Sequence, residues 1–152
     1  MPTGPVDLSI MPNLRKLSIF HFRSFSMHYT DPMDPSLQLL CQMLDPPNAL
    51  ASVVSLHLQL HFNEVNVRED FLLPKLPNSH WELIDRIITS DRYPNLEDFY
   101  LELYSDLIIQ GGRGIFEKGR FIQETKEKLP PIFRRINASD RIKFKFTISA
   151  SV

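Results

Sequence analysis

Four short stretches of the chain alternate apolar residues with polar or aromatic ones. They are Leu14-Arg15-Lys16-Leu17-Ser18-Ile19, Val53-Val54-Ser55-Leu56-His57-Leu58-Gln59-Leu60, Leu96-Glu97-Asp98-Phe99-Tyr100-Leu101-Glu102-Leu103 and Ile142-Lys143-Phe144-Lys145-Phe146-Thr147-Ile148. A period of two is the mark of a strand with one buried face. The spacing is nearly constant: 39 residues separate Leu17 from Leu56, 43 separate Leu56 from Phe99, and 43 separate Phe99 from Ile142. That distance is too long for hairpins and leaves room for a helix between strands, so the strands are expected to run parallel. Strand twist makes such crossovers right-handed. The pattern therefore predicts a curved, right-handed α/β solenoid with four parallel strands in chain order, forming one domain over residues 1–152.

The intervening segments carry helical stripes. Asp34 is placed to cap a helix with Pro35 at its first position, and Leu37, Leu40, Cys41 and Leu44 form the stripe up to the Pro46-Pro47 stop. A second helix is expected to open at Ser79, with Glu82 completing a capping box and Trp81, Ile84, Ile87 and Ile88 facing inward. A third runs from near Phe116 to Leu129, with Phe121, Ile122, Thr125 and Leu129 on its inner face, and ends at Pro130-Pro131. A short turn through Ile132, Phe133 and Ile136 follows. Residues 63–78 read as a long loop carrying Phe71 and Leu73, and Gly111-Gly112-Arg113-Gly114 as a flexible loop ahead of the third helix.

Alternation also assigns faces. Leu17, Ile19, Leu56, Leu58, Leu60, Phe99, Leu101, Leu103, Ile142, Phe144 and Phe146 should point toward the helices. The opposite face then carries Ser18, Phe20, Phe22, His57, Gln59, His61, Tyr100, Glu102, Tyr104, Lys143, Lys145 and Thr147. Stacked in register, these residues form rows, one of Phe20, Gln59, Glu102 and Lys145 and another of Phe22, His61, Tyr104 and Thr147. Aromatic rings mixed with hydrogen-bonding groups are the composition of protein interfaces, and repeat proteins bind through such surfaces. Phe20, Phe22, His57, Gln59, His61, Tyr100, Glu102, Tyr104, Lys143 and Lys145 are accordingly the candidate protein-binding residues. The bland alternative is a sheet face that is merely solvated, or one covered by further parts of the protein.

Bulk composition narrows the field further. Of the 152 residues, 17 are basic and 18 acidic, a net charge of -1 that leaves no electrostatic footprint for nucleic acid or an anionic membrane. No run reaches the roughly 20 apolar residues of a membrane span, and the N-terminus lacks the pattern of a signal peptide. The single cysteine, Cys41, lies in an apolar run and reads as core; an intracellular setting, cytoplasm or nucleus, fits it.

Met11-Pro12-Asn13-Leu14-Arg15-Lys16-Leu17-Ser18-Ile19 and Tyr93-Pro94-Asn95-Leu96-Glu97-Asp98-Phe99-Tyr100-Leu101 share one pattern, x-Pro-Asn-Leu-x-x-(Leu/Phe)-x-(Ile/Leu). It resembles the start of a strand in a leucine-rich repeat. Trp81-Glu82-Leu83-Ile84-Asp85 leading into Tyr93-Pro94-Asn95-Leu96 is similar to the C-terminal region of fungal F-box proteins with degenerate leucine-rich repeats. The resemblance spans about Met11 to Ile148 and implies a leucine-rich-repeat-like solenoid whose strand face recognises a protein. The period is longer than that of short leucine-rich repeats, the Asn ladder after the strand is absent, and no F-box precedes the repeats. The chain is therefore expected to be a fragment of a longer repeat array, or to have lost the ligase connection.

Catalytic and metal chemistry find little support. His57 and His61 lie about 13 Å apart on a strand, too far for one ion with bonds of about 2 Å. Gly111–Gly114 could cradle an anion but lacks the Lys-Ser/Thr of a P-loop and the full G-x-G-x-x-G spacing. No G-x-S-x-G elbow or H-E-x-x-H motif occurs. The expectation is a non-enzymatic protein-interaction module without metal or cofactor, with an unidentified protein partner and no nucleic-acid or membrane partner. The substrate-recognition part of an F-box-like ubiquitin ligase subunit is the specific form. The alternative is a small-ligand or enzyme domain using the glycine loop. Little precedes the aromatic-rich first strand, so self-association through the N-terminal end is also expected.

Overall fold

The computed structural model describes residues 8–24, 35–66, 78–108 and 114–151. Strands β1 (Lys16–Ser24), β2 (Ser55–Asn66), β3 (Asp98–Ile108) and β4 (Lys143–Ser151) form one parallel sheet in chain order. Helices α1 (Pro35–Leu44), α2 (Asn78–Ile88), α3 (Gly114–Lys128) and the short α4 (Arg134–Asn137) alternate with them. A 3-10 turn at Leu8–Ile10 precedes β1, and another at Pro130–Ile132 joins α3 to α4.

Each strand is reached through a tight turn, and the turn explains where the strand begins. Leu14 N–H donates to Met11, Val53 to Leu50 and Leu96 to Tyr93, each closing a four-residue turn. At the fourth strand the Ser139 hydroxyl accepts from Ile142 N–H instead. Val53, Leu96 and Ile142 are buried turn anchors rather than strand residues. The strands accordingly start one or two residues later than alternation predicted and continue past its ends, so β2 takes up residues 63–66 of the expected loop.

The register follows the expected spacing through the first three strands: Leu17 pairs with Leu56, and Leu56 with Phe99. The fourth strand departs from it. Phe99 pairs with Phe144, not Ile142, because Ile142 is occupied as the turn anchor. A shift of two residues keeps every side chain on its face, so the inward set survives while the outward rows change.

That inward set joins the helices in a single buried cluster. Leu56, Leu58, Leu60, Phe99, Leu101 and Leu103 are sealed against Leu40, Leu44, Trp81, Ile84, Ile88, Phe121 and Phe133. Four rings lock the third and fourth units together. Phe99 stacks on Phe144 at 5.4 Å, and Phe133 tilts against both and meets Trp81 edge-on. Burying a ring or large aliphatic side chain of this kind stabilises by about 1.5–3 kcal/mol. Cys41 belongs to the same cluster, and burial pushes its thiol up from the ordinary range.

Polar contacts fix the helices. Tyr93, buried, donates its hydroxyl to the Leu44 carbonyl at 2.6 Å, satisfying an orphan group at the end of α1. Burial, with Asp45 nearby, pushes that phenol far above its ordinary range. Asp85 of α2 is also buried, and its carboxylate accepts the N–H groups of Arg135 and Ile136 at the start of α4.

Two helix starts are corrected. α2 opens at Asn78, so Ser79 stands inside the first turn and is not its N-cap; N–H groups of a first turn need no intrahelical acceptor, which leaves the start free to move by a residue. α3 opens at Gly114 rather than Phe116, taking the last glycine of the loop into the helix. The expected cap Asp34, the loop residues Phe71 and Leu73, and Gly111, Gly112 and Arg113 lie outside the described residues.

Candidate interaction face

The outward rows differ from expectation at their β4 end. The first row reads Ser18, His57, Tyr100, Lys145; the next Phe20, Gln59, Glu102, Thr147; the third Phe22, His61, Tyr104, Ser149. Lys145 therefore stands beside Tyr100 and not Glu102, and Thr147 beside Glu102 and not Tyr104. Lys143 is opposite Asp98 at the lead-in end. Phe22 is placed by its backbone register only.

Within these rows the side chains are wired to one another. His57 stacks on Tyr100 with ring centroids 4.4 Å apart and planes 10° apart, and Lys145 Nζ lies 4.9 Å from the centre of the same ring. Tyr100 is thus held between an imidazole and an ammonium group, a cation–π contact on one side. His61 meets Tyr104 edge-on at 4.5 Å.

A second set of contacts runs diagonally, each reaching two residues forward on the next strand. His57 Nε2 lies 3.0 Å from Glu102, His61 Nε2 lies 2.9 Å from Asp106, and the Tyr100 hydroxyl lies 2.9 Å from that of Thr147. Side chains on a strand stand off the sheet and lean along its direction, which brings residue j+2 within reach. Asp106 also accepts the Ser151 hydroxyl. That bond above all, against an opposing effect of burial and with smaller help from His61 and Tyr104, holds the Asp106 carboxyl below the ordinary carboxylate range.

Exposure along the face is graded. His57 and Glu102 are each 31% exposed, and Phe20, on the outermost strand, is 62% exposed. Lys143 and Lys145 are exposed, and Gln59 is half-buried. The helices and the buried cluster lie on the other side. Sequence reading missed Asp106 and Ser151. The alternation that would have carried it there is masked by Ser105, a polar residue at an inward position of β3, and by Ala150 at the matching position of β4.

Among the described residues, no group of three or more His, Cys, Asp or Glu is gathered in a way that could hold a metal ion. None of the described helices is long and apolar enough to cross a membrane. No family model matches this chain, and neither a curated protein nor a solved structure matches it.

Proposed function

We propose that this chain is a non-enzymatic protein-interaction module that binds its partner through the outward strand face, on a right-handed solenoid of the leucine-rich-repeat kind. The observation that carries the reading is the wired set of His57, Tyr100, Glu102 and Thr147, half-exposed, with the exposed Lys145, in contact side chain to side chain. Rings and polar groups whose rotamers are fixed in advance lose less entropy on binding than free ones. Tyrosine at the centre of an interface is among the residues that dominate affinity. The likeness to the C-terminal region of fungal F-box proteins gives the specific form: recognition of a substrate for a ubiquitin ligase subunit, with an unidentified intracellular protein as the ligand.

The test compares four forms of the chain in quantitative affinity enrichment: wild type, Tyr100→Ala, Tyr104→Ala, and Arg120→Ala on the exposed helix side. A specific partner is retained by wild type and Arg120→Ala. It is weakened about thirtyfold, the equivalent of about 2 kcal/mol, by the tyrosine variants. Retention of every partner by both tyrosine variants would remove the face from consideration.

A further inference from the structure

Successive units of the sheet are joined by a ladder outside the strands themselves. Asn95, three residues before β3, donates its amide to the Ala51 carbonyl, four residues before β2. Arg141 donates in the same way to the Pro94 carbonyl, four residues before β3. Backbone groups repeat the theme: Val54 and Ser55 N–H donate to Arg15, Glu97 and Asp98 to Val54, and Lys143 to Glu97. Asn13 stands three residues before β1, within the same Pro-Asn-Leu sequence as Asn95. It is exposed, and among the described residues its amide has no such acceptor. At the far end Ser139 stands four residues before β4, where Ala51 and Pro94 stand before β2 and β3. One end of the ladder offers a donor and the other the matching carbonyl.

The core is graded in the same sense. Inward residues of the inner strands, Leu58 and Leu101, are completely buried, whereas Leu17 and Ile19 of β1 are 9% and 8% exposed and Phe144 and Phe146 of β4 are only partly buried. Beside β1, Ile10 is 73% exposed and Met11 46%. Both outer strands are nine residues long, and among the described residues each has a strand neighbour on one side only.

We propose that a second copy of this chain adds head to tail, its β1 running parallel to β4 in continuation of the observed register. Leu17 of the second copy then extends the row Leu17, Leu56, Phe99, Phe144, its Ile19 falls beside Phe146, and its Asn13 amide donates to the Ser139 carbonyl. The contact is heterologous, so it grows into open chains rather than closing as a dimer. It also carries its own brake. Lys143 comes to lie opposite the second copy's Lys16, and like charges directly opposed across strands repel. Association is therefore weak at low salt and rises as salt screens the pair. This contact uses the sheet edges and is independent of the strand-face reading.

Sedimentation equilibrium of the full chain tests it, at about 0.05 M and about 0.5 M salt. The expected result is mass growing with concentration, more so at high salt. Lys16→Glu, whose partner within its own sheet is the neutral Ser55, exchanges repulsion for attraction and raises the association constant about tenfold at low salt. Asn13→Asp, which turns a carboxylate toward a carbonyl, abolishes the association. Geometry is read by mixing Ser18→Cys with Lys145→Cys chains and adding a short bismaleimide, since the extended register puts these positions side by side. A cross-linked product from the mixture, absent from either variant alone, supports the arrangement. A monomer under all conditions, a Lys16→Glu chain that associates no better than wild type, or cross-linking of Ser18→Cys with itself would each overturn it.

Discussion

Removing the carboxylate of Asp85 should destabilise the fold more than any other single polar change in α2. α4 is four residues long, and its N-cap position is held by Phe133, whose side chain makes no cap hydrogen bond. Phe133 is instead fully buried among Trp81, Phe99 and Phe144. The ring thus occupies the position where Ser, Thr, Asp or Asn would ordinarily satisfy the first N–H groups of a helix. Asp85, 3% exposed, does so from another helix, accepting Arg135 N–H at 2.9 Å and Ile136 N–H at 3.0 Å.

Hydrogen bonds to a charged acceptor contribute about 1.5–3 kcal/mol each, and a buried N–H left without a partner costs about 1–3 kcal/mol. Asp85→Ala strands both donors. Relief from keeping a carboxylate out of water offsets part of the loss, leaving a net cost of about 3 kcal/mol. Asp85→Asn keeps one carbonyl acceptor but turns an NH2 group toward the other N–H, so about half that cost remains. For a chain of this size, 3 kcal/mol lowers the melting temperature by roughly 6–12 °C. Urea unfolding should show a lowered midpoint with an unchanged slope, and exchange of the Arg135 and Ile136 amides should accelerate ahead of the β3 amides. A loss below about 0.5 kcal/mol for Asp85→Ala, typical of a surface change, would refute the capping argument. So would an Asn variant as unstable as the Ala variant.

Two further outcomes are expected. The Ser105 hydroxyl is fully buried between Phe62 and Ala150, with no hydrogen-bond partner among the described residues, so Ser105→Ala should stabilise by about 1 kcal/mol in urea unfolding; a destabilised variant would mean that the hydroxyl is bonded after all. Asp106 titrates below the ordinary carboxylate range chiefly because Ser151 donates to it, so its stabilising effect is present above that range and is lost as pH falls through its lowered value. Ser151→Ala should raise the NMR titration midpoint of Asp106 toward the ordinary value, and an unmoved midpoint would show that His61 and Tyr104 suffice.

What was legible in the sequence was whatever repeats. Alternation in four stretches separated by helical stripes identified the parallel sheet, its strand order and its buried set. Leu17, Leu56 and Phe99 could be aligned because each stands three residues after a turn anchor, Leu14, Val53 or Leu96. Ile142 looks like another member of the Leu17 series, yet it is the anchor itself, and only the turn closed by the Ser139 hydroxyl reveals this. A face assignment survives such an error because two residues restore the parity; a row assignment does not. The capping of α4 was not legible at all. Asp85 reads as one more charge on an amphipathic helix, and its partners lie about fifty residues away.

The strand face divides along the same line. Its membership follows from parity, so His57, Tyr100, Glu102 and Lys145 could be assigned to one surface from alternation alone. The bonds among them depend on which residues stand opposite and on how far each side chain leans. With Lys145 placed beside Glu102, the natural inference is an ion pair between them, which leaves the histidines as spare polar groups. The actual register puts Lys145 over Tyr100 and gives Glu102 to His57. The same residues then form a chain of contacts running forward from β2 through β3 to β4. Each acid of that chain is met by a histidine from the preceding strand, and Tyr100 is gripped from both sides. A surface held this way presents Tyr100 edge-on and in one orientation. On the proposed function, a partner would have to fit the ring where it stands, and His57→Ala would weaken that partner in the same affinity enrichment without itself being at the contact; undiminished retention would show that the grip of His57 on the ring does not matter to binding.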